Sequence, residues 1–200
     1  MGDMKISRRY GDTVEAEFYD RRPDTVAREL LGKLIITRVN NHVTGGLITE
    51  VEAYFGVEDP ASRAAKPGKI GEAMYRPPGK TLIYMVHGNW LLNIVTSSDE
   101  AGAVLIRSIE PLIGIETMYV RRGVTKKRLL TTGPGRLTKA LGIDATLDNV
   151  EVYIENGVIE VKHYLDFSEA EIGRSGRIGV SKDLREPYRF YLINSRYVSK

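Results

Sequence analysis

The sequence predicts a single α+β domain, with a largely antiparallel sheet and helices around it. Its 200 residues suffice for one core, and neither a linker nor an internal repeat divides residues 1–200. Several short apolar runs are separated by tight turns, a pattern typical of antiparallel strands. Helical patterns are short and interspersed with these runs, so a parallel α/β arrangement is not indicated.

The first elements are a helix and two strands. A helix is predicted over residues 23–32, because Asp24 lies near its start and Gly32 can end it. Apolar runs at 33–39 and 44–55 follow, separated by an Asn-Asn turn. These runs predict a pair of neighbouring strands.

Alternation along the second strand places polar groups together. Ile48, Glu50, Glu52 and Tyr54 are expected on one face. Partial burial would raise the pKa of at least one carboxyl, which suits a general base. The alternative, which the strand pattern alone favours, is an edge strand with solvated acids.

A long loop and three strands occupy the middle of the chain. Residues 56–80 hold four prolines and several glycines and read as an ordered loop. Strands are predicted at 81–86, 90–96 and 102–109. The turn between the first two begins at His87, which can either wedge between nucleic-acid bases or form a simple surface turn.

The last third alternates helices and strands. Helices are predicted over 110–122, with Pro111 in the first turn, and over 133–142, between glycines. A hairpin is expected over 149–162 and a final strand over 188–193. Together these elements complete the predicted mixed fold.

Charge is segregated along the chain although the net charge is only +3. Residues 121–139 carry +7, residues 144–171 carry −7, and residues 172–200 carry +5. This favours a polyanion such as nucleic acid on the basic side; the alternative is solvated faces. The candidate nucleic-acid contacts are Arg121, Arg122, Lys126, Lys127, Gly133, Gly135, Arg136 and Arg177.

Composition excludes several classes of site. With no cysteine there is no disulfide, thiolate metal site or cysteine nucleophile, and three histidines lack metal-binding spacing. No metal or cofactor is therefore predicted. The first residues lack the apolar region of a signal peptide, and no apolar run reaches the roughly 18 residues of a spanning helix. We expect a monomer in the cytoplasm or nucleoid, with no membrane partner.

Seven blocks, in order, resemble the alkyladenine DNA glycosylases, also called 3-methyladenine or methylpurine glycosylases. The blocks are ITEVEAYFGVEDPAS, PPGKTLIYMVHG, WLLNIVT, VLIRSIEPLIGIETM, TTGPGRLTKALGI, RIGV and PYRFYLINSRYVS. The resemblance implies a compact domain with a curved sheet, like the C-terminal domain of formyltransferases. It also implies an enzyme that flips a damaged purine from double-stranded DNA and hydrolyses its N-glycosidic bond, leaving an abasic site. No metal or covalent intermediate is implied.

The resemblance also implies roles for single residues. Glu52 matches the family's general base, which activates a water. Arg107 matches the arginine that helps to hold that water, and the main-chain carbonyl of Val180 matches its third ligand. Glu52, Arg107 and Val180 are therefore the expected catalytic residues.

The remaining carried-over residues form the pocket and the wedge. Tyr54 and Tyr84 match the aromatics that stack on the base, and Asn93 matches the residue that limits access by the guanine 2-amino group. Three features depart from the family. His87 replaces the usual intercalating tyrosine, Arg63 replaces a pocket histidine, and residues 69–72 read Lys-Ile-Gly-Glu where the family commonly has Thr-Pro-Arg-Asn. Because a guanidinium repels a cationic base, neutral lesions such as hypoxanthine or ethenoadenine are expected to be better substrates. The alternative function is a non-catalytic damaged-DNA or RNA-binding domain of the same fold.

Overall fold

The computed structural model describes residues 10–199 and has the predicted α+β architecture. All strand pairs of its eight-stranded sheet are antiparallel. The strands are β1 (Leu34–Val39), β2 (His42–Tyr54), β3 (Thr81–Val86), β4 (Asn89–Val95), β5 (Ala103–Ile113), β6 (Ile159–Lys162), β7 (Ile172–Ser175) and β8 (Arg189–Leu192). The α-helices are α1 (Pro23–Leu30), α2 (Lys69–Glu72), α3 (Ile115–Arg122) and α4 (Pro134–Leu141).

Strand β2 lies inside the sheet rather than at its edge. The main path runs β3-β4-β5-β2-β1-β6, and β8 also pairs with β2 and carries β7 beyond it. β2 therefore has β5 on one side, and β1 and then β8 on the other. Because both edges are covered, Glu50 and Glu52 are buried, and the solvated edge strand considered from the sequence is wrong.

Two irregularities interrupt the pairing of β2 with β5. Ile48 pairs with Ile109, Glu50 with Ser108, and Val51 with Ile106. Thr49 is therefore an extra residue in β2, and Arg107 is an extra residue in β5; such bulges redirect side chains. The prediction that Ile48 shares the face of Glu50 is wrong, because the first bulge turns Ile48 into the apolar core.

Helices and turns mostly follow their local sequence. Helix α1 begins with Pro23 and is followed by Gly32, at a φ of 87°, and it buries Val26, Ala27 and Leu30 against the main core. Helix α4 begins after Gly133 and ends at Gly142, as predicted. A second, smaller core cluster includes Met74 and has the pocket residues Tyr54 and Tyr84 packed against it.

Three predicted elements differ from the structure. Pro111 lies in β5, which continues to Ile113, so α3 begins only after Gly114. The first arm of the hairpin predicted over 149–162 has only an isolated bridge from Glu151 to Lys80, although the second arm is β6. The long loop over 56–80 contains α2 and a 3₁₀ turn, and β7 occupies part of the glycine-rich segment 173–179.

The signal-peptide expectation rests mainly on residues 1–9, which lie outside the described range. Between residues 10 and 199, no helix is long and apolar enough to cross a membrane.

Candidate active site

An open cavity of about 750 Å³ brings together most of the residues singled out from the sequence. Its walls include Tyr54 at the end of β2, Tyr84 on β3, Leu105 and Arg107 on β5, and Ile178 after β7. The start of α4 and the tip of the β3–β4 hairpin form its rim. The cavity is large enough for a purine nucleoside, and aromatic and charged groups surround it.

Glu52 lies directly behind this wall. Its side chain is fully buried, but its two hydrogen-bond donors, Tyr54 and Ile178, and its ion-pair partner Arg107 all line the cavity. The Ile178 N–H donates to Oε1 at 2.7 Å, the Arg107 Nη1 lies 3.1 Å from the same oxygen, and the Tyr54 hydroxyl donates to Oε2 at 2.8 Å. A carboxylate offers about four acceptor positions, so one on Oε2 remains.

Glu50 and Glu52 have opposite electrostatic environments. Burial is the largest influence on Glu52 and raises its pKa; the charge of Arg107 and the hydrogen bonds from Ile178 and Tyr54 offset this only in part. Burial is also the largest influence on Glu50, but Arg107 and the hydrogen bonds from Ser199 and others outweigh it and lower the pKa of that carboxyl. Glu52 is thus the better proton acceptor, and Glu50 is held ionised.

Two guanidinium groups stack on the pocket tyrosines. The Arg177 Cζ lies 4.6 Å from the centre of the Tyr54 ring, and the Arg63 Cζ lies 4.9 Å from the centre of the Tyr84 ring. Burial and the neighbouring carboxylate of Glu52 raise the pKa of Tyr54, so its hydroxyl stays protonated and donates. Both aromatic walls therefore already carry a cation on one face.

Asn93 is not among the residues that line the main cavity. It is 2% exposed, and its side-chain amide donates to the Leu82 carbonyl at 3.0 Å. It lines a much smaller cavity of about 10 Å³, which shares Tyr54, Arg63 and Tyr84 with the main cavity. An amide fixed in this way can restrict what reaches this smaller cavity.

Arg177 is buried, which disagrees with its predicted role as a DNA contact. Its guanidinium donates to both oxygens of Asp59, at 2.6 and 2.7 Å, to Asp183 at 2.8 Å, and to the Ala53 carbonyl at 3.0 Å. These bonds occupy all its nitrogens, so no donor remains for phosphate. Arg177 instead anchors the segment that carries the Ile178 N–H to β2.

Val180 belongs to the same segment and lines the cavity. Its carbonyl accepts no hydrogen bond from the residues that the structure describes. An unengaged carbonyl at a cavity wall can accept a hydrogen bond from a water.

The β3–β4 hairpin presents His87 at its exposed tip. His87 and Gly88 have φ values of 46° and 75°, typical of a tight type I′ turn. Trp90, the other aromatic of this motif, packs against the main core instead. A Cβ on Gly135 would come within 2.6 Å of Asn89, so this glycine allows the tip to pack against the start of α4.

The predicted DNA-contact residues fall into two groups. Arg121 donates to Thr44 and to the Ala140 and Val39 carbonyls, and Arg122 donates to the Leu130 and Leu129 carbonyls. The Gly133 N–H is bonded to the Arg107 carbonyl and the Ser108 hydroxyl. The exposed members are Lys126, Lys127 and Arg136, and Arg136 also lines the cavity together with Gly133 and Gly135.

Sequence reasoning missed several residues around the site. Ser199 and Arg189 donate to Glu50, and Asp59 accepts from Arg177. Lys66 and Arg128 line the cavity. The last resemblance block contains Arg189 and Ser199, but nothing local signals their contact with Glu50. Within residues 10–199 there is no group of three or more histidine, aspartate or glutamate side chains arranged to hold a metal ion.

The chain is similar in sequence to known proteins. Residues 17–196 match the family described as methylpurine-DNA glycosylase. A protein of Aeropyrum pernix is 42% identical over 95% of this chain and 94% of its own length, and one of Methanoculleus marisnigri is 38% identical over 94% and 99%. One of Rhodopirellula baltica is 38% identical over 94% and 83%. All three are named "Putative 3-methyladenine DNA glycosylase".

Proposed function

The chain belongs to the methylpurine-DNA glycosylase family, a family of base-excision-repair enzymes, and on that premise we propose that it hydrolyses the N-glycosidic bond of damaged purines flipped out of double-stranded DNA. The observation that carries this proposal is Glu52: a buried carboxylate of raised pKa directly behind a wall of the cavity, with Tyr54, Arg107 and Ile178 as its donors. A domain that only binds DNA has no need of such a group.

The pocket tyrosines stabilise the extruded base. Flipping a base costs a few kcal/mol, and stacking on an aromatic side chain returns about 1 to 3 kcal/mol per base. Tyr54 and Tyr84 supply two such surfaces in one cavity. His87, at the exposed tip of the hairpin, fills the gap that the base leaves. Asn93, which lines the adjoining smaller cavity, limits which purines fit.

Hydrolysis then needs only water and one base. A water held by the remaining acceptor position of Glu52 and by the Val180 carbonyl attacks C1′ of the flipped nucleotide, with Arg107 fixing the carboxylate. Its oxygen forms the new bond to C1′ and its proton passes to Glu52. The bond to the purine nitrogen breaks, and the electron pair leaves with the purine. The purine takes up a proton from solvent water, and Glu52 returns its proton to the solvent. The product is an abasic site in an intact strand, which makes the activity monofunctional.

One cation at the pocket favours neutral substrates. Arg63 lines the cavity and stacks on Tyr84, which weakens the attraction of that ring for a positively charged base. The charge of Arg177 beside Tyr54 is balanced by its two carboxylate partners. We therefore assign hypoxanthine and ethenoadenine as better substrates than cationic alkylpurines such as 3-methyladenine. We also assign action as a monomer on the DNA of the cytoplasm or nucleoid.

The experiment that tests the proposal uses a duplex with a single hypoxanthine. After incubation with excess protein, alkali cleaves the strand only where an abasic site has formed. Free hypoxanthine and an alkali-labile site in equal amounts are expected. Binding to this duplex with no released base would replace the proposal with the non-catalytic DNA-binding domain.

A further inference from the structure

Glu50 is the most heavily hydrogen-bonded carboxylate near the pocket. Oε1 accepts from Arg107 Nε at 2.8 Å, from Arg189 Nε at 2.8 Å and from the Ser199 hydroxyl at 2.7 Å. Oε2 accepts from the Ser199 N–H at 2.6 Å and from the Ser108 hydroxyl at 3.1 Å. The side chain is fully buried, and these five hydrogen bonds leave no acceptor position for a substrate or a water.

Arg107 joins this carboxylate to Glu52. Its Nε donates to Glu50, its Nη1 lies 3.1 Å from Glu52, and its Nη2 donates to the Ser199 hydroxyl at 3.3 Å. The bulge at Arg107 turns its side chain to the same side as Ser108, the next residue in the strand. Glu50 and Ser199 thereby hold Nε and Nη2 of the guanidinium and leave Nη1 for Glu52.

A comparable cluster elsewhere shows what a merely structural role looks like. Glu160 on β6 is also fully buried, and it accepts from Lys162 at 3.1 Å and from the Thr13 hydroxyl at 2.6 Å. None of these three residues lines the cavity or contacts one of the proposed catalytic groups. The two clusters share burial and ion pairing, and they differ in the link to Glu52.

We propose that Glu50 is a positioning residue for excision, which holds Arg107, with the help of Ser199, so that the guanidinium faces and orients Glu52. This inference rests on the proposed function. Removing the charge of Glu50 releases Arg107 and also removes a negative neighbour of Glu52. Both changes alter the catalytic base without altering the walls that stack on the purine.

The test is the pH profile of single-turnover excision from a hypoxanthine duplex, for Glu50→Gln against Glu160→Gln. The charge of Arg107 lowers the pKa of Glu52, and this influence is larger than the repulsion by Glu50 that raises it. Release of Arg107 in Glu50→Gln therefore raises the pKa of Glu52 and moves the acid limb of the profile to higher pH. The plateau rate falls by up to about 100-fold, the loss that follows a misplacement of about 1 Å. Affinity for the duplex stays within a few-fold of wild type. Glu160→Gln, the same substitution in the other cluster, moves neither the limb nor the plateau.

Rates and an acid limb equal to those of wild type in folded Glu50→Gln would overturn the inference. Glu52→Gln is measured in parallel, so that this failure can be told apart from a failure of the proposed function. If Glu52→Gln loses excision while Glu50→Gln keeps it, the proposed function stands and only the role of Glu50 is removed. If Glu50→Gln does not fold, Ser199→Ala decides, because it removes the hydroxyl and keeps the backbone donor. The expected result is slower excision at unchanged affinity, with recovery in Ser199→Thr; a wild-type rate in Ser199→Ala would then contradict the inference.

Discussion

The pKa values of Glu50 and Glu52 shift in opposite directions because of their hydrogen-bond donors, not because of their burial. Both are fully buried on the same face of β2. Glu50 accepts five hydrogen bonds, two of them from arginines, and is held as an anion. Glu52 has one arginine, one backbone N–H and one phenol as partners. The additional donors to Glu50 come from Arg189, Ser199 and Ser108. A strand with two identical acids thus supplies one ionised anchor and one proton acceptor.

The raised pKa of Glu52 predicts the pH dependence of excision. The base must be ionised, so the rate falls as pH drops through a pKa above the ordinary 4.5 of a glutamate. Tyr54→Phe removes a hydrogen bond that lowers this pKa, so the acid limb moves to higher pH in that variant. Single-turnover rates measured between about pH 4 and 8 give the acid limb of wild type and that of Tyr54→Phe. A shift to lower pH in Tyr54→Phe would show that another group sets the profile.

Arg63 predicts lesion preference. Arg63→His removes a permanent cation from the face of Tyr84, so the ratio of 3-methyladenine to hypoxanthine excision rises about tenfold, equivalent to about 1.4 kcal/mol. Matched duplexes under single-turnover conditions give this ratio. Arg128→His, on the rim and away from the tyrosine faces, leaves the ratio unchanged. An equal ratio in wild type and Arg63→His would remove the electrostatic basis of the preference.

At the scale of the element, the contact between the hairpin tip and the start of α4 is tight. Gly135→Ala places a Cβ about 2.6 Å from Asn89 and destabilises the protein; overpacking of this kind typically costs about 1–3 kcal/mol. Thermal unfolding measures the loss. Because the clash is with the side chain of Asn89, the double variant Gly135→Ala, Asn89→Gly recovers part of that loss. No recovery would show that the helix start itself is strained.

The elements that the sequence predicts correctly are those defined by local pattern. β1, β2 and the hairpin of β3 and β4 follow from alternation and tight turns, and α4 follows from its flanking glycines. The sequence predicts Pro111 in a helix, which is wrong, because its place in β5 depends on pairing with Gly46, a residue distant in the chain. The short β7 also depends on pairing, with β8.

The same distinction applies to the site. Glu52 and Tyr54 are two residues apart on one strand, so their shared face is visible in the sequence. Glu50 meets Arg107 and Ser199 across 57 and 149 residues, and two bulges set the geometry, so no local pattern could reveal them. The burial of Arg177 could not be predicted for the same reason, because its partner Asp59 is 118 residues away.

At the scale of the whole molecule, the acidic run is largely neutralised by the fold. Five of its acids pair with bases: Asp148 with Arg76, Glu151 with Lys80, Glu160 with Lys162, Asp166 with Lys33 and Glu169 with Arg174. Lys126, Lys127 and Arg136 of the basic run remain exposed. The charges next to the cavity are therefore mainly positive, as a phosphate backbone requires.

This charge distribution predicts how binding depends on salt. Arg136→Ala removes one contact to phosphate, so the slope of log K against log salt concentration decreases in magnitude by about 1. Arg21→Ala carries the same change of charge, but Arg21 pairs with Glu29 and does not line the cavity, so its slope equals that of wild type. Titration of an undamaged duplex at several salt concentrations gives both slopes. Equal slopes in wild type and Arg136→Ala would exclude Arg136 from the DNA interface.

In the proposed reaction, Glu52 activates the water that releases the purine. Glu52→Gln keeps the size and polarity of the side chain and removes its basicity, so binding and single-turnover excision on a hypoxanthine duplex are compared for this variant and wild type. We expect affinity within a few-fold of wild type and a rate lower by about 10² to 10⁴, the usual contribution of a positioned general base. Excision by Glu52→Gln at a rate close to that of wild type would contradict this role of Glu52.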